Sequence, residues 1–593
     1  MSDKPDNPFQ FWQELKRRKV IRVITVYAAA AFVILELVDI VAPSLRLPDW
    51  TMNLIIVLLC VGFIIAVILS WIFDVTPEGI EKTKPSKEVR KDEKSVTPNS
   101  WKIATYVSVI IIIGLVGYHI LSNSQSSRDI RKLEKTIAVL PFENWHSDEE
   151  FPHLGDAIAN EINTQLAKIN QFHVFSFTSS SKFKGPDKPS IPQIGRELGA
   201  NFIIEGSVER QDQDVSIHVQ VIQAHTDDHL WANEFKGKWK DLFTIRAEIA
   251  INIAEKLKTV LSPEELKQIE KNPTENLEAY NLYLKGRWFW NKWTDTDIKK
   301  GMDYFKQAIE MDPGFALAYA GFAEAYNTLS FYGQLHPDDT YPKAKDLALK
   351  ALEIDNSLAE AHNALAFVKV YYDWDWEGGE QEFKEAIALD PDYITAHHLY
   401  AYFLVLQARY DEALKEINKA LSLDPLNLII NRTLGDFYYH MREYNKAEQQ
   451  LKKTLEMNSA FNLTHAYLGL VYLQQSLCEE ALEELQEEIN LDHGPNDILA
   501  WQGYVYGVCG YKDEGYQILN DLLESSENKY IPPSYFTWIY FALGEYEQGF
   551  EWLDKAYNER DPWLTEIKIS HFYDGIRSEP RYIELLEKMK LNK

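Results

Sequence analysis

LGDFYYHMREYNKAEQQLKKTLEMNSA, residues 434–460, decides the fold, because its landmarks return at a fixed interval along the chain. Gly435, Gly469 and Gly503 are 34 residues apart, as are Tyr438, Tyr472 and Tyr506, and Ala413, Ala447, Ala481 and Gly515. Pro391 and Pro425 keep the same spacing. A period of this length is the mark of stacked supersecondary units, two helices per unit, with small residues where the helix backbones approach.

Working outward, the pair Ala308 and Pro313 recurs as Ala386 and Pro391 and as Ala420 and Pro425, each Pro lying just past a second helix that it cannot continue. The phase predicts about eight units beginning near Leu277, Phe315, Leu358, Asp392, Leu426, Ala460, Asn496 and Pro533, with a capping helix at Arg581–Leu591, so that the array covers 277–593. The second unit is lengthened by Phe331–Tyr341 and the third by DWDWEG at 373–378. This all-α solenoid resembles the tetratricopeptide repeat family. AHNALAFVKVYYDWDWEGGEQEFKEAIALDP (361–391) and ITAHHLYAYFL (394–404) resemble the arrays of membrane-tethered bacterial regulators. The resemblance implies a concave groove lined by the first helix of each repeat. Counted from Gly435, its candidate lining is Asn363, Tyr371, His398, Tyr402, Arg432, Asp436, Tyr439 and His440. Aromatic, basic and polar groups together suit an extended peptide or a partner's tail; the competing reading is a set of solvated positions with no ligand.

Before the array, residues 136–260 change character. Thr136–Phe142 is a β-branched apolar run ending near a Pro, and reads as a buried strand. Ile158, Ile162, Leu166 and Ile169 then fall at helical spacing. Phe172–Phe177 is expected as a strand, Ile191–Leu198 as a helix and Phe202–Glu209 as a strand, while Val215, Ile217, Val219 and Val221 alternate like a strand with one wet face. His229–Lys236 reads as a further strand and Asp241–Val260 as a closing helix. The segments IAVLPF, DEEFPHLGDAIANEI, LGANFIIEGSV and WANEF resemble the amino-terminal domain of TolB and the FlgO-like domain. That resemblance implies a small α/β module for periplasmic protein interaction rather than an enzyme.

Residues 1–122 contain three apolar runs, Val23–Val41, Met52–Phe73 and Ile103–Leu121. Each approaches the ~20 residues a helix needs to cross a bilayer, so three N-terminal transmembrane helices are expected, spanning about 23–41, 52–73 and 103–121. Six Lys and Arg precede the first run, only Arg46 separates the first two, and seven lie between the second and third. The positive-inside rule then places the N-terminus in the cytoplasm and everything after the third run in a bacterial periplasm. Glu36 and Asp39 lie within the first run, where carboxylates are costly; they are candidates for intramembrane coupling, or else sit near enough to the interface to reach headgroups.

The 593 residues carry a formal net charge of -28, which gives no general field for phosphate backbones, so nucleic acid is not an expected partner. Three Cys exclude a Cys-rich metal site. Cys478 and Cys509 read as separate core thiols, though an oxidising compartment would allow them to pair. No Walker loop, strand-linked GxGxxG, HExxH, GxSxG or CxxC occurs, so no catalytic residue, cofactor or metal is expected. His397 and His398 are adjacent on a helix and point in different directions, which disfavours a metal. CadC-like activators and class III adenylate cyclases share parts of this plan, but the roughly 22 residues before the first run fit neither output domain, and neither activity is expected. The expectation is a non-enzymatic, membrane-anchored scaffold or sensor binding proteins or peptides at the periplasmic side. The alternatives are a receptor coupling ligand binding to a separate cytoplasmic effector, and an enzyme with an unrecognised site near Asp148, Glu149, Glu150 and Asp156.

Overall fold

The computed structural model describes residues 20–44, 50–76, 79–82, 133–145, 154–185, 188–290, 294–332, 335–491 and 495–592. They fall into two compact units, Met1–Lys132 and Leu133–Lys593.

In the first unit, helices Val20–Ser44 and Trp50–Ile72 pair, and strands β1 (Phe73–Thr76) and β2 (Gly79–Lys82) form an antiparallel hairpin with Phe73 opposite Lys82. The Tyr27 hydroxyl donates to the Leu59 carbonyl at 2.9 Å, and its ring meets Phe63 edge-on at 5.6 Å. Gly62 makes this approach feasible, since a Cβ there would strike the Tyr27 hydroxyl. The expected three membrane spans are corrected here: among the described residues, no helix is long and apolar enough to cross a membrane. The helix that holds the first run also carries Arg22, Glu36 and Asp39, and it packs through Tyr27 against the second. The third run, Ile103–Leu121, lies outside the described residues, as do the side chains of Glu36 and Asp39.

The second unit begins with a six-stranded sheet in the order β5-β3-β6-β7-β8, where β3 is Thr136–Val139, β5 His173–Val174, β6 Phe202–Gln211, β7 Asp214–Gln223 and β8 Asp228–Lys238; β4 (Glu143–Asn144) also pairs with β6. β3 runs parallel to β5 and β6, whereas β6, β7 and β8 form an antiparallel meander. Along β7, Val215, Ile217, Val219 and Val221 are buried and Ser216, His218 and Gln220 are half-buried, so one face meets the core and the other water. Helices Leu154–Ala167 and Leu242–Lys256 bury Ile158, Ile162, Leu166, Ile249 and Ile253. Helix Ile191–Leu198 inserts Ile194 and Leu198 into a second cluster with Ile203 and Ile222. The strand expected at Phe172–Phe177 shrinks to two residues, because Ser176 caps a short helix, Phe177–Ser181, by accepting from the Thr178 N–H.

Among the described residues eight helix pairs follow, from Leu277–Trp290 with Asp295–Met311 to Pro533–Leu543 with Tyr546–Asn558. The 34-residue series of small residues lies where the helices of a pair touch. A Cβ on Gly435 would meet Leu451 at 2.7 Å, one on Gly469 the Ala481 carbonyl oxygen at 2.9 Å, and one on Gly503 Ile518 at 3.1 Å. After the last pair come two 3-10 turns, Pro562–Glu566 and His571–Ile576, and helix Pro580–Lys588. The end of the chain reaches the third repeat: Trp376 Nε1 donates to the Met589 carbonyl at 2.7 Å, and the Trp374 ring lies 5.1 Å from Tyr557 beneath the Arg560 guanidinium.

Cys478 and Cys509 form a disulfide with Cα atoms 6.0 Å apart, which corrects the reading of two separate thiols. Cys478 opens the second helix of one repeat and Cys509 ends the first helix of the next, and stacking brings those two helix ends together.

Candidate functional site

The inner wall of the array is built by repetition. Stepping 34 residues from Tyr402 gives Asp436, Leu470, Tyr504 and Trp538; stepping from Thr433 gives Tyr467, Trp501 and Tyr535. Both series lie on the first helices of successive repeats, one turn apart, and stacking converts each into a stripe along the concave face.

Residues 561–576 lie along these stripes. Trp563 is buried with its ring 6.3 Å from Trp501, 5.8 Å from Trp538 and 5.4 Å from Phe331. Phe572 stacks on Trp538 at 4.4 Å and meets Tyr504 edge-on at 4.6 Å. The Tyr402 hydroxyl donates to Glu566 Oε1 at 2.8 Å. His571 packs on Tyr439 at 4.3 Å, with Nε2 3.0 Å from the Tyr444 hydroxyl, and Arg442 Nη2 donates to Asp574 Oδ1 at 2.7 Å. Asp561 fixes the start of the segment by accepting from the backbone N–H groups of Ser534 and Trp563 at 2.8 and 3.0 Å.

The chain thus covers its own candidate lining. His398 Nε2 and the Thr433 hydroxyl are 3.1 Å apart. Arg432 is half-buried, with Nη1 donating to the Asn462 carbonyl at 3.3 Å and the guanidinium 5.7 Å from the Tyr467 ring. Asp436 and His440 are buried with Oδ1 and Nε2 3.2 Å apart, and Tyr439 is buried beside them. Tyr371 stacks on Phe367 at 4.2 Å and meets Phe331, the residue that also touches Trp563. Asn363 is buried, and its Oδ1 has no hydrogen-bond partner among the described residues.

Burial sets the charges in this interior. Desolvation pushes the Glu566 carboxyl up to about 7, against the pull of His440. It depresses His398 to about 4, with Arg432 adding to the effect, and His571 to about 3, with His440 adding. Burial also works against a charged His440, but the adjacent Asp436 outweighs it and raises that imidazole. An aromatic wall with a buried cation and carboxylates is suited to holding a peptide-like segment, and less to covalent chemistry. Of the acids considered for catalysis, Asp156 is engaged by Lys184 Nζ at 2.7 Å, while Asp148, Glu149 and Glu150 lie outside the described residues. Among the described residues no group of three or more His, Cys, Asp or Glu is arranged to hold a metal ion.

Sequence reasoning missed Tyr504 and Trp538, two and three 34-residue steps beyond Asp436, and Tyr467 and Trp501, one and two steps beyond Thr433, a position it had not named. It missed Trp563, Glu566 and His571 for a different reason: the segment that carries them has no helical period.

Residues 133–251 match the family model of the HilA/YgeH-like transcriptional regulator, second domain, rather than the TolB-type domain expected. Over 233 residues the chain is 31% identical to a putative adenylate cyclase 3 of Rhizobium meliloti (strain 1021), a match covering 39% of each protein. Over 142 residues it is 25% identical to the transcriptional regulator HilA of Salmonella typhimurium, covering 24% of this chain and 26% of HilA. The chain thus spans well under half the length of the curated relatives it matches. Among solved structures it is similar to pilF of Pseudomonas aeruginosa, at 22% identity over 35% of this chain and 93% of that one, with a TM-score of 0.27. It is also similar to YrrB, described as a TPR protein with an unusual peptide-binding site, at 22% identity over 32% of this chain and 91% of that one, with a TM-score of 0.23. Residues 394–425, which hold helices Ile394–Leu406 and Tyr410–Leu423, match the tetratricopeptide repeat model.

Proposed function

We propose that this protein is a non-enzymatic scaffold or sensor that holds extended segments of other proteins against the concave face of its repeat array. The observation that carries the reading is the inner wall itself: Tyr467, Trp501, Tyr504 and Trp538 line it with aromatic rings repeat after repeat beneath residues 561–576, with Arg432 among them as a cation. Tetratricopeptide repeats indicate protein or peptide partners, and such a wall offers stacking and charge to an extended chain. The Cys478–Cys509 disulfide supports work in an oxidising compartment, which in a bacterium is the periplasm. Photo-crosslinking groups placed at Tyr467 and Tyr504 of the full chain, in cells, test the partner. The expected result is one protein cross-linked from the inner-wall positions and not from exposed Leu349 on the outer side of a second helix. Equal or no cross-linking from the two faces overturns it. Alkylation of unreduced extracts tests the compartment, the expected result being no reaction at Cys478 or Cys509 until a reductant is added.

A second, regulatory reading is favoured by the match of residues 133–251 to the second domain of HilA/YgeH-like regulators. In it the sheet region and array receive a signal for a separate effector. Deletion of the gene that alters transcript levels, with the array's partner unchanged, would favour it.

A further inference from the structure

The concave face is the place where this chain meets a segment that its repeat pattern does not require. Residues 561–576 form two 3-10 turns between the last helix pair and helix Pro580–Lys588, and they enter from Arg560, held in the left-handed region at φ 55°. Their polar ties to the wall run through single side chains of the segment: Asp561 to the Ser534 N–H, Glu566 to Tyr402, His571 to Tyr444, Tyr573 to Trp538 Nε1 and Asp574 to Arg442. Among the described residues no strand ladder or helix hydrogen bonding joins the segment to the wall, so each tie can be exchanged for an equivalent one from another chain.

The fit is also incomplete. With the segment in place, Arg432 Nε, the Tyr439 hydroxyl and Trp501 Nε1 are buried and make no hydrogen bond among the described residues. Buried donors of this kind disfavour the closed arrangement and favour any occupant that supplies acceptors. The cation among them, Arg432, calls for a carboxylate or carbonyl.

We propose that residues 561–576 are a built-in occupant of the partner groove, and that a partner displaces them by presenting the same chemistry, an aromatic anchor followed three residues later by a carboxylate. Trp563 and Glu566 define that spacing in this chain. The inference rests on the peptide-binding reading above and adds that the groove is closed in the free protein. Closure makes binding competitive: the apparent affinity for a partner falls by the fraction of molecules that are open.

Two measurements on the full chain test it. In hydrogen exchange without any partner, the amides of 563–576 are expected to exchange together and roughly tenfold or more faster than those of Leu428–His440, as a local opening requires. Equal protection of the two regions overturns closure as a separable event. In the second, a labelled synthetic peptide of residues 561–576 is titrated against wild type, Trp563→Ala and Asp574→Ala. The Asp574 change removes two partly exposed ion pairs, with Arg442 and with Arg577, and no buried ring, so that variant keeps the test open if Trp563→Ala fails to fold. Binding about tenfold tighter to either folded variant than to wild type is expected, with a Glu566→Ala peptide weaker. No gain in either folded variant overturns the proposal. Cross-linking of a partner from Tyr467 and Tyr504 alongside full protection of the segment would reject closure and leave the binding function standing.

Discussion

Glu566 is the residue at which the interior of the array becomes sensitive to pH. Its carboxyl is buried and pushed up to about 7, above the 4.5 of an exposed glutamate. The folded protein therefore holds this proton where the unfolded chain has released it. That contribution to stability is complete below about 4.5 and is lost as pH rises through about 7. His571 works in the opposite sense: depressed to about 3, it contributes stability above 6.5 that is lost as pH falls. Replacing Glu566 by Gln keeps an acceptor for the Tyr402 hydroxyl and removes only the upper slope. Glu566→Gln is expected to match wild type near pH 4.5 and to exceed it by about 1–3 kcal/mol at pH 8 in urea unfolding. Parallel stability curves for the two proteins across that range would show that the Glu566 proton is not part of the balance.

At the scale of the element, the turn between the two helices of a repeat shows what the period enforces. Ala408, Arg442, Ser476, Gly510 and Gly544 are 34 residues apart, and all take left-handed backbone, with φ of 59°, 63°, 63°, 86° and 86°. Each follows the first helix of its pair and lets the second turn back on it, a conformation that an L residue adopts at a cost and glycine adopts freely. Two repeats use glycine and three do not. Ser476→Gly is thus expected to stabilise the array by about 0.5–1 kcal/mol, read as a shift of the denaturation midpoint with unchanged slope. A destabilised Ser476→Gly would mean that unfolded-state entropy outweighs the strain at this turn. The same regularity explains which features were legible in the sequence. Gly435 and Gly469 were readable because close helix contact excludes a Cβ at every period, and Ile194 and Leu198 because a helix face leaves a spacing. Tyr504 and Trp538 were two and three steps along a phase already found. Trp563, Glu566 and His571 were not readable, since 3-10 turns that follow the shape of a wall leave no spacing of their own. The apolar runs near the N-terminus misled for the converse reason: hydropathy reports how apolar a helix is and not what it packs against, and Tyr27 against Leu59 and Phe63 has no signature in a hydropathy window.

Within the second unit, the sheet region and the array are joined by a small set of contacts that can be weakened one at a time. Ser179 donates its hydroxyl to buried Asp424, which also accepts from Asn427 Nδ2 at 2.8 Å. His173 Nε2 lies 2.9 Å from the Ser422 carbonyl oxygen, and Leu426 packs against the Ile194 and Leu198 cluster. All three contacts converge on 422–427, the link between the fourth and fifth helix pairs, so the sheet region braces the array at this joint as well as at the first repeat, where Arg246 Nη1 donates to the Tyr280 hydroxyl at 3.1 Å. Burial already raises the Asp424 carboxyl, and the Ser179 hydrogen bond acts against that rise. Ser179→Ala leaves the carboxylate buried with one partner fewer, a loss of about 1–3 kcal/mol that falls on the joint rather than on either core. In calorimetry of the full chain, the sheet region and the fourth and fifth repeats are expected to unfold in one transition in wild type. In Ser179→Ala combined with Leu426→Ala the sheet region is expected to melt first, several degrees below the array. Hydrogen exchange assigns the two steps, because the amides of β6 and β7 would then lose protection before those of Leu428–His440. Coincident melting in that variant would mean that the wider surface between sheet region and array, including the Lys271 to Asp355 ion pair at 2.7 Å, carries the coupling, and that a signal received in the groove reaches the sheet through the whole interface rather than through this joint.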